Sequence, residues 1–382
     1  MADHWKKHYQ RWLAFPELDQ EMSQQLESLR EDEKTLEDCF YQNIEFGTGG
    51  MRGEMGPGIN RINLYTVRKA TEGLARYVSD HGIQAKQRGV AIAYDSRRKS
   101  REFAFEAARV LGKHGIRILV FDRLTPTPLL SYAVRSLGAF AGIVLTASHN
   151  PPEYNGYKVY GPEGGQITLA AAETIMSKRD EVENELEIEA ADLKKLRESG
   201  LLQMIGSELQ KAYLEQLKLV RLQPWLQTGT AQNVKIVFTP LHGTTLEPIA
   251  SGLKAFGYEQ VTIVAEQAQP DPDFPHTPSP NPEDYRAFAL AIRYGREQNA
   301  DLILATDPDG DRLGAAVKNE EGRYIVLNGN QIGALLLEYV LSQKQGKGIL
   351  PKNGVVLKTI VTSEMGRAIA AHYGLPTIDT LT

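Results

Sequence analysis

One cysteine, Cys39, stands in 382 residues. That excludes an internal disulfide and a cysteine-built zinc site, and it fits a reducing cytoplasm. No apolar run approaches the ~18 residues of a membrane-spanning helix. The first residues, Met1-Ala2-Asp3-His4-Trp5-Lys6-Lys7-His8, lack the basic-then-apolar order of a signal peptide. Positive charge is not in excess: 43 Lys and Arg against 48 Asp and Glu leave a net −5. Nucleic acid is therefore disfavoured as a partner, since binding it needs a clustered basic surface. The eight histidines show no metal-ligand spacing. What remains, 42% hydrophobic and 24% charged, is an ordinary globular composition. At roughly 150 residues per domain the length suggests two or three domains.

Residues 5–41 are polar and Glu-rich, with Trp12, Phe15, Leu26, Leu29, Leu36 and Phe40 at helical spacing. They predict a helical extension over 1–45. Strand and helix patterns then alternate within 46–205: strands at 90–94, 116–121 and 141–146, helices at 102–114 and 128–137. That alternation predicts a layered α/β unit with a largely parallel sheet. Residues 168–222 are charged and helical, with no strand candidate. A second unit, 206–318, has strands at 234–238, 261–264 and 302–305, interrupted by a segment, 270–282, too proline-rich for a helix interior or central strand. A third, 319–382, follows the hairpin signal Asn319-Glu320-Glu321-Gly322. It has helices at 330–341 and 363–373 and strands at 355–361 and 377–381, and reads as incomplete. Three strand ends share a rhythm: Val144-Leu145-Thr146-Ala147-Ser148, Val237-Phe238-Thr239-Pro240-Leu241 and Ile360-Val361-Thr362-Ser363-Glu364. The rhythm points to a repeated module.

Three loops carry chemistry. Thr146-Ala147-Ser148-His149-Asn150-Pro151-Pro152 follows a buried strand, where ligands of open α/β sheets bind. Ser148 can be a nucleophile. A bare Ser-His pair would read as an exposed turn. Here the turn signal Asn155-Gly156 and the strand 157–160 return Lys158 toward the same loop. Next, an apolar strand runs into Asp307-Pro308-Asp309-Gly310-Asp311-Arg312. Carboxylates at alternate positions converge in an extended segment and repel unless a cation neutralises them; hard oxygen ligands favour Mg²⁺. An EF-hand is excluded, because its sixth and twelfth positions would be Arg312 and Lys318 instead of Gly and Glu. The third loop, Phe46-Gly47-Thr48-Gly49-Gly50-Met51-Arg52-Gly53, sets backbone amides and a guanidinium where an anion could approach. It lacks the Gly-Lys-Ser/Thr of a Walker loop. Pro240-Leu241-His242-Gly243-Thr244-Thr245 and Thr125-Pro126-Thr127-Pro128 are read as helix caps, and His242 as structural.

Over about residues 40–382 these loops resemble the α-D-phosphohexomutase superfamily of phosphoglucomutases and phosphomannomutases. The run from Gly47 to Arg61 is similar to the branch of bacterial phosphoglucomutases and animal phosphopentomutases. The resemblance implies repeated three-layer α/β domains with mixed, largely parallel sheets around a central cleft. It implies that Ser148 is a phosphoserine, and that Asp307, Asp309 and Asp311 hold one Mg²⁺ together with it. Arg52 and His149 would sit beside the phosphate, Lys158 would be the general base, and Arg312 would brace the metal loop. Arg52, Arg312 and Lys358 become the phosphate-binding candidates. The implied reaction interconverts sugar 1- and 6-phosphates through a sugar 1,6-bisphosphate, which also primes the enzyme; mannose and pentose phosphates are the alternative substrates. The family's sugar-reading Gly-Glu-x-Ser-Gly and its Arg-x-Ser-Gly-Thr phosphate clamp occur nowhere in these residues. They are accordingly expected to lack the sugar-selecting loop and the fourth domain, and to turn over negligibly alone. Two other classes stand as rivals: a metal-dependent phosphohydrolase using Ser148, which would want a second metal, and an inactive fragment.

Overall fold

The computed structural model describes residues 4–47, 50–224 and 230–381. Thr48 and Gly49 of the glycine-rich loop, and Met1, Ala2 and Asp3 of the N-terminal reading, lie outside the described residues. The extension forms as three helices, His4–Ala14, Gln20–Ser28 and Glu33–Phe40. Asp19 caps the second by accepting from the amides of Glu21 and Met22, and Asp32 caps the third through Thr35. Trp5, Trp12, Leu26, Leu36 and Phe40 gather against Tyr65 and Leu186 of the first α/β unit. One buried carboxylate fastens the two. Glu185, 1% exposed, accepts from Trp12 Nε1 at 2.7 Å and from Arg11 Nη2 at 2.7 and 2.8 Å. Glu185→Ala leaves the indole N–H unpaired, so it is expected to cost about 2–3 kcal/mol. Urea unfolding would read the loss, and proteolysis should release residues 1–45 first.

The first sheet has seven strands in the order β1-β2-β6-β5-β3-β4-β7. They are β1 (Phe46–Gly47), β2 (Gly50–Glu54), β3 (Val90–Tyr94), β4 (Ile118–Phe121), β5 (Ala141–Leu145), β6 (Tyr154–Tyr160) and β7 (Leu202–Ile205). The central strands β5, β3, β4 and β7 pair parallel, and β6, β2 and β1 add an antiparallel edge. Every residue of β3, β4 and β5 is buried, as strands covered on both faces must be. The helices Leu64–Asp80 and Ser100–Lys113 cover one face, and Thr127–Ser136 with Leu209 covers the other.

Two expectations are corrected here. The charged stretch 168–222 does hold a strand, β7, whose residues run Leu-Gln-Met-Ile with only Leu202 buried. An edge strand needs no apolar run, so its pattern is faint. Asn155-Gly156 is not a turn but the interior of β6. Asn155 is buried, donating to Arg98 O and Ser100 Oγ, and a Cβ at Gly156 would stand 2.5 Å from Thr146 O and 2.7 Å from Met51 O. The glycine is there for close backbone approach.

The second sheet, β12-β11-β10-β8-β9, comprises β8 (Ile236–Thr239), β9 (Val261–Ile263), β10 (Leu302–Thr306), β11 (Leu313–Lys318) and β12 (Tyr324–Leu327). β9, β8 and β10 are parallel; β11 and β12 are antiparallel. The hairpin at 319–322 therefore joins two strands of one sheet, and the expected boundary at 318/319 falls inside it. Beyond it, β13 (Val356–Thr359) and β14 (Thr377–Thr380) form a two-stranded parallel sheet. Its paired Leu357 and Ile378 both face solvent, 63% and 53% exposed, so one face of this small sheet is uncovered. Among the described residues no helix is long and apolar enough to cross a membrane.

Candidate active site

Where β5 ends, Thr146 Oγ1 accepts the amide of Ser148 at 2.7 Å, and the chain turns sharply with Ser148 at φ +54. The same turn recurs after β8. There Thr239 Oγ1 accepts from the amide of Leu241 at 3.1 Å, with Leu241 at φ +45. Two of the three matching strand ends thus share a geometry. The third does not: Thr362 lies past the end of β13 and turns back on Thr359.

The Ser148 turn meets the acidic loop of the second unit. Ser148 Oγ donates to Asp307 Oδ2 at 2.7 Å and lies 3.2 Å from His149 Nδ1. Asp307, Asp309 and Asp311 each place a carboxylate oxygen within 4.8 Å of the others. Lys158 Nζ, carried in on β6, bridges Asp309 Oδ2 at 2.8 Å and Asp311 Oδ2 at 3.1 Å. Thr127 Oγ1 donates to Asp309 Oδ2 at 3.1 Å. The backbone amide of Arg312 donates to Asp307 Oδ1 at 2.9 Å.

Burial and mutual repulsion separate these groups. Burial, reinforced by Asp309 and Asp311, pushes the Asp307 carboxyl well above the ordinary range. Burial acts the same way on Asp309, but the Lys158 ammonium overcomes it and holds that carboxyl low. For Lys158, burial alone would lower the ammonium; Asp309 and Asp311 outweigh it and raise it. Burial and the nearby Arg312 and Arg52 lower His149 and so disfavour its protonated form. Asp309 Oδ1 is buried and has no hydrogen-bond partner among the described residues. A buried anionic oxygen left open beside two other carboxylates suits a hard divalent cation such as Mg²⁺.

Arg52 lies on β2 and is joined to the serine loop by a hydrogen bond from Nη1 to Asn150 Oδ1 at 3.0 Å. Arg312 braces the acidic loop by its amide, while its guanidinium reaches Glu283 at 3.2 Å. Lys358 is not brought to this site. Its ammonium is spent within its own module on Glu364 at 2.8 Å and Asp379 at 3.1 Å. His242 is structural: it is 2% exposed, with Nδ1 2.9 Å from Gln269 O.

The two supposed helix caps need correction. Neither Thr127 nor Thr245 makes a side-chain cap. Thr127 turns its hydroxyl to Asp309, and Thr244 Oγ1 donates to Pro308 O at 2.9 Å, so both segments hold the acidic loop. Thr127→Val is expected to weaken Mg²⁺ binding about 10–100-fold, as loss of an outer partner of a metal ligand does; calorimetry would read it. Sequence reasoning also missed Asp95 and Arg97, whose buried pair underlies the serine loop. A charged Asp-Ser-Arg directly after an all-apolar strand was the available signal.

Known proteins resemble the chain across both α/β units. Residues 43–186 match the profile of phosphoglucomutase/phosphomannomutase α/β/α domain I, and residues 211–322 that of domain II. A phosphoglucomutase of Staphylococcus epidermidis is 36% identical over 367 residues, which cover 92% of this chain and 64% of that one. A phosphoglucomutase of Staphylococcus aureus is 36% identical over 343 residues, covering 90% and 60%. The chain thus spans less than two thirds of the length of these relatives. A solved phosphoglucomutase/phosphomannomutase family protein from Burkholderia thailandensis superposes with a TM-score of 0.65 at 19% identity, over 87% of this chain and 65% of that one. At that identity it supports the fold alone. With both α/β/α domains matched and the acidic and serine loops joined between them, the chain belongs to the phosphoglucomutase/phosphomannomutase family.

Proposed function

We propose that Ser148 carries a phosphoryl group and exchanges it with a sugar phosphate, as a phosphoglucomutase does. The observation that carries the reading is the 2.7 Å contact of Ser148 Oγ with Asp307, beside the Lys158 bridge to Asp309 and Asp311. In the forward step the bond between phosphorus and Ser148 Oγ breaks, and a bond forms to a hydroxyl oxygen of the sugar monophosphate. The hydroxyl proton passes to Lys158 Nζ. The resulting sugar bisphosphate turns round; the bond between its other phosphorus and the sugar oxygen breaks, that phosphoryl group returns to Ser148 Oγ, and the proton on Lys158 Nζ passes to the freed sugar oxygen, so the net change is an isomerisation. Arg52 and His149 flank the transferred group, and Arg312 holds Asp307 in place through its amide.

Asp307, Asp309 and Asp311 would hold Mg²⁺, which supplies Lewis-acid neutralisation of the phosphoryl oxygens. Asp309 and Asp311 outweigh the effect of burial and raise the Lys158 ammonium. Once those carboxylates are engaged elsewhere, burial dominates and Nζ becomes able to accept a proton. Among the described residues one group of three carboxylates could hold a metal, which favours this reading over a two-metal phosphohydrolase. The partners are sugar phosphates, with glucose preferred to mannose or pentose on the names of the 36% identical relatives. The buried thiol Cys39 suits a reducing cytoplasm.

The test is to incubate the chain with Mg²⁺ and glucose 1,6-bisphosphate and map phosphate by mass spectrometry. Phosphate taken up by Ser148 from the bisphosphate is the expected outcome, with steady isomerisation of glucose 1-phosphate by these residues alone negligible. Phosphate mapped only to other residues, or discharged solely as inorganic phosphate, would contradict the proposal.

A further inference from the structure

We infer that Arg97 is a positioning residue of this phosphoryl site and that Phe274, from the second unit, forms part of its seat; the inference rests on Ser148 being the phosphoryl carrier. Arg97 stands just after β3 and is 3% exposed. Its Nη1 donates to the carbonyls of Pro151 at 2.7 Å and Tyr154 at 2.9 Å. Its Nη2 donates to the carbonyls of Ser148 at 2.8 Å and Asn150. Four carbonyls of the segment 148–154 therefore converge on one planar cation. These are charge-assisted bonds in a fixed fork, a pattern that the point charge of lysine cannot reproduce.

The cation is neutralised from below. Arg97 Nε lies 3.5 Å from Asp95 Oδ2, and both side chains are fully buried. The other Asp95 oxygen accepts from the Arg97 amide at 2.9 Å and from Ser100 Oγ at 2.8 Å. Among the described residues, Arg97 Nε and Asp95 Oδ2 are left without hydrogen bonds of their own. So loose a buried pair is a poor device for stability, because desolvating two charges is costly unless their geometry is excellent. Its return is the placement of the loop.

The second unit closes the arrangement. The Phe274 ring lies over the Arg97 guanidinium, 5.1 Å from centroid to carbon. Phe274 is 2% exposed and sits at φ +49 within the proline-rich segment 270–282. Its neighbour Asp273 pairs with Arg98, the residue after Arg97. The segment thus docks on residues 97 and 98 of the first unit, and the shape of the serine loop is tied to that docking. Arg97 acts on the Ser148 backbone, leaving the reacting oxygen to other groups.

The test follows the rate at which glucose 1,6-bisphosphate phosphorylates Ser148 in the full chain, with Mg²⁺ affinity measured by calorimetry on the same preparations. Arg97→Lys should slow phosphorylation about 100-fold, the scale of an ångström of misplacement, while Mg²⁺ affinity and half-saturation by the bisphosphate hold to within about twofold. Arg97→Ala should be slow and be partly restored by free guanidinium but not by ammonium. Phe274→Leu, which keeps volume without a π face, should slow the step about 3–10-fold. An Arg97→Lys chain at the wild-type rate, or guanidinium without effect, would overturn the inference. If the Arg97 variants do not fold, Phe274→Leu decides, and a wild-type rate there overturns it. Wild-type chain that never takes phosphate on Ser148 would overturn the proposed function, and the inference with it. Wild-type chain that is phosphorylated, beside an equally fast Arg97→Lys, overturns the inference alone.

Discussion

S148A and S148G are both expected to lose phosphoryl transfer by at least about 10⁴-fold, since each removes the oxygen to which phosphorus must bond. They should differ in stability. Ser148 holds φ +54, a conformation that costs an L-residue about 1–2 kcal/mol and costs glycine nothing. Both variants lose the hydrogen bond to Asp307, so that loss cancels between them. The comparison then isolates the backbone: S148G should be more stable than S148A by up to about 1 kcal/mol, after the extra chain entropy of glycine is deducted. Urea unfolding of the pair would check it. Equal stability would mean that the turn adjusts once the hydroxyl is gone. Retained transfer in either variant would remove Ser148 from the mechanism. Strain kept at a reacting residue is expected where the surrounding bonds over-determine its geometry. Here Thr146 Oγ1 and the Arg97 fork do so from two sides.

Sequence gave away the residues that do one thing each. An all-apolar run such as Val90 to Tyr94 must be covered on both faces, and it is. Three aspartates at alternate positions after an apolar strand do converge, but through a turn closed by the Gly310 amide on Asp307 O at 3.0 Å, with Gly310 at φ +67, and not through the two-residue period of an extended segment. What stayed hidden depended on partners far along the chain. Thr127 reads as a helix start, and only tertiary contact shows its hydroxyl on Asp309, 182 residues away. Lys358 reads as one more lysine on a strand, and only the fold shows Glu364 and Asp379 holding it. Asn155-Gly156 has the composition of a turn. Its actual constraint is that two neighbouring strands leave no room for a side chain. Arg97 has the same character, since nothing local says that its targets lie about fifty residues downstream at Ser148, Asn150, Pro151 and Tyr154.

Asp309→Asn should reduce Mg²⁺ affinity by at least about 100-fold, more than the loss of an outer partner, because it alters a ligand itself. The substitution conserves shape, so its effect comes from charge and from hydrogen-bond direction. Asp309 Oδ2 receives two donors, Lys158 Nζ and Thr127 Oγ1, while Oδ1 is buried without a partner among the described residues. An asparagine has one acceptor and one donor end. Its carbonyl must face the two donors, since the amide nitrogen there would oppose an ammonium and a hydroxyl. The amide then points its hydrogens toward the open position beside Asp307 and Asp311, where a cation would need an oxygen. A ligand is lost and a repulsive dipole takes its place. Lys158 changes as well. Asp309 is the largest of the influences that raise its ammonium, so in the variant burial draws its proton affinity down. The neutral amine is the form that accepts the hydroxyl proton, so this change does not add to the loss, and activity should fall no further than metal affinity accounts for. Calorimetry with Mg²⁺, run beside the Ser148 phosphorylation assay at several metal concentrations, compares the two. Unchanged Mg²⁺ affinity would show that the cation sits elsewhere; activity that stays lost at saturating Mg²⁺ would show that Lys158 needs the Asp309 charge to act.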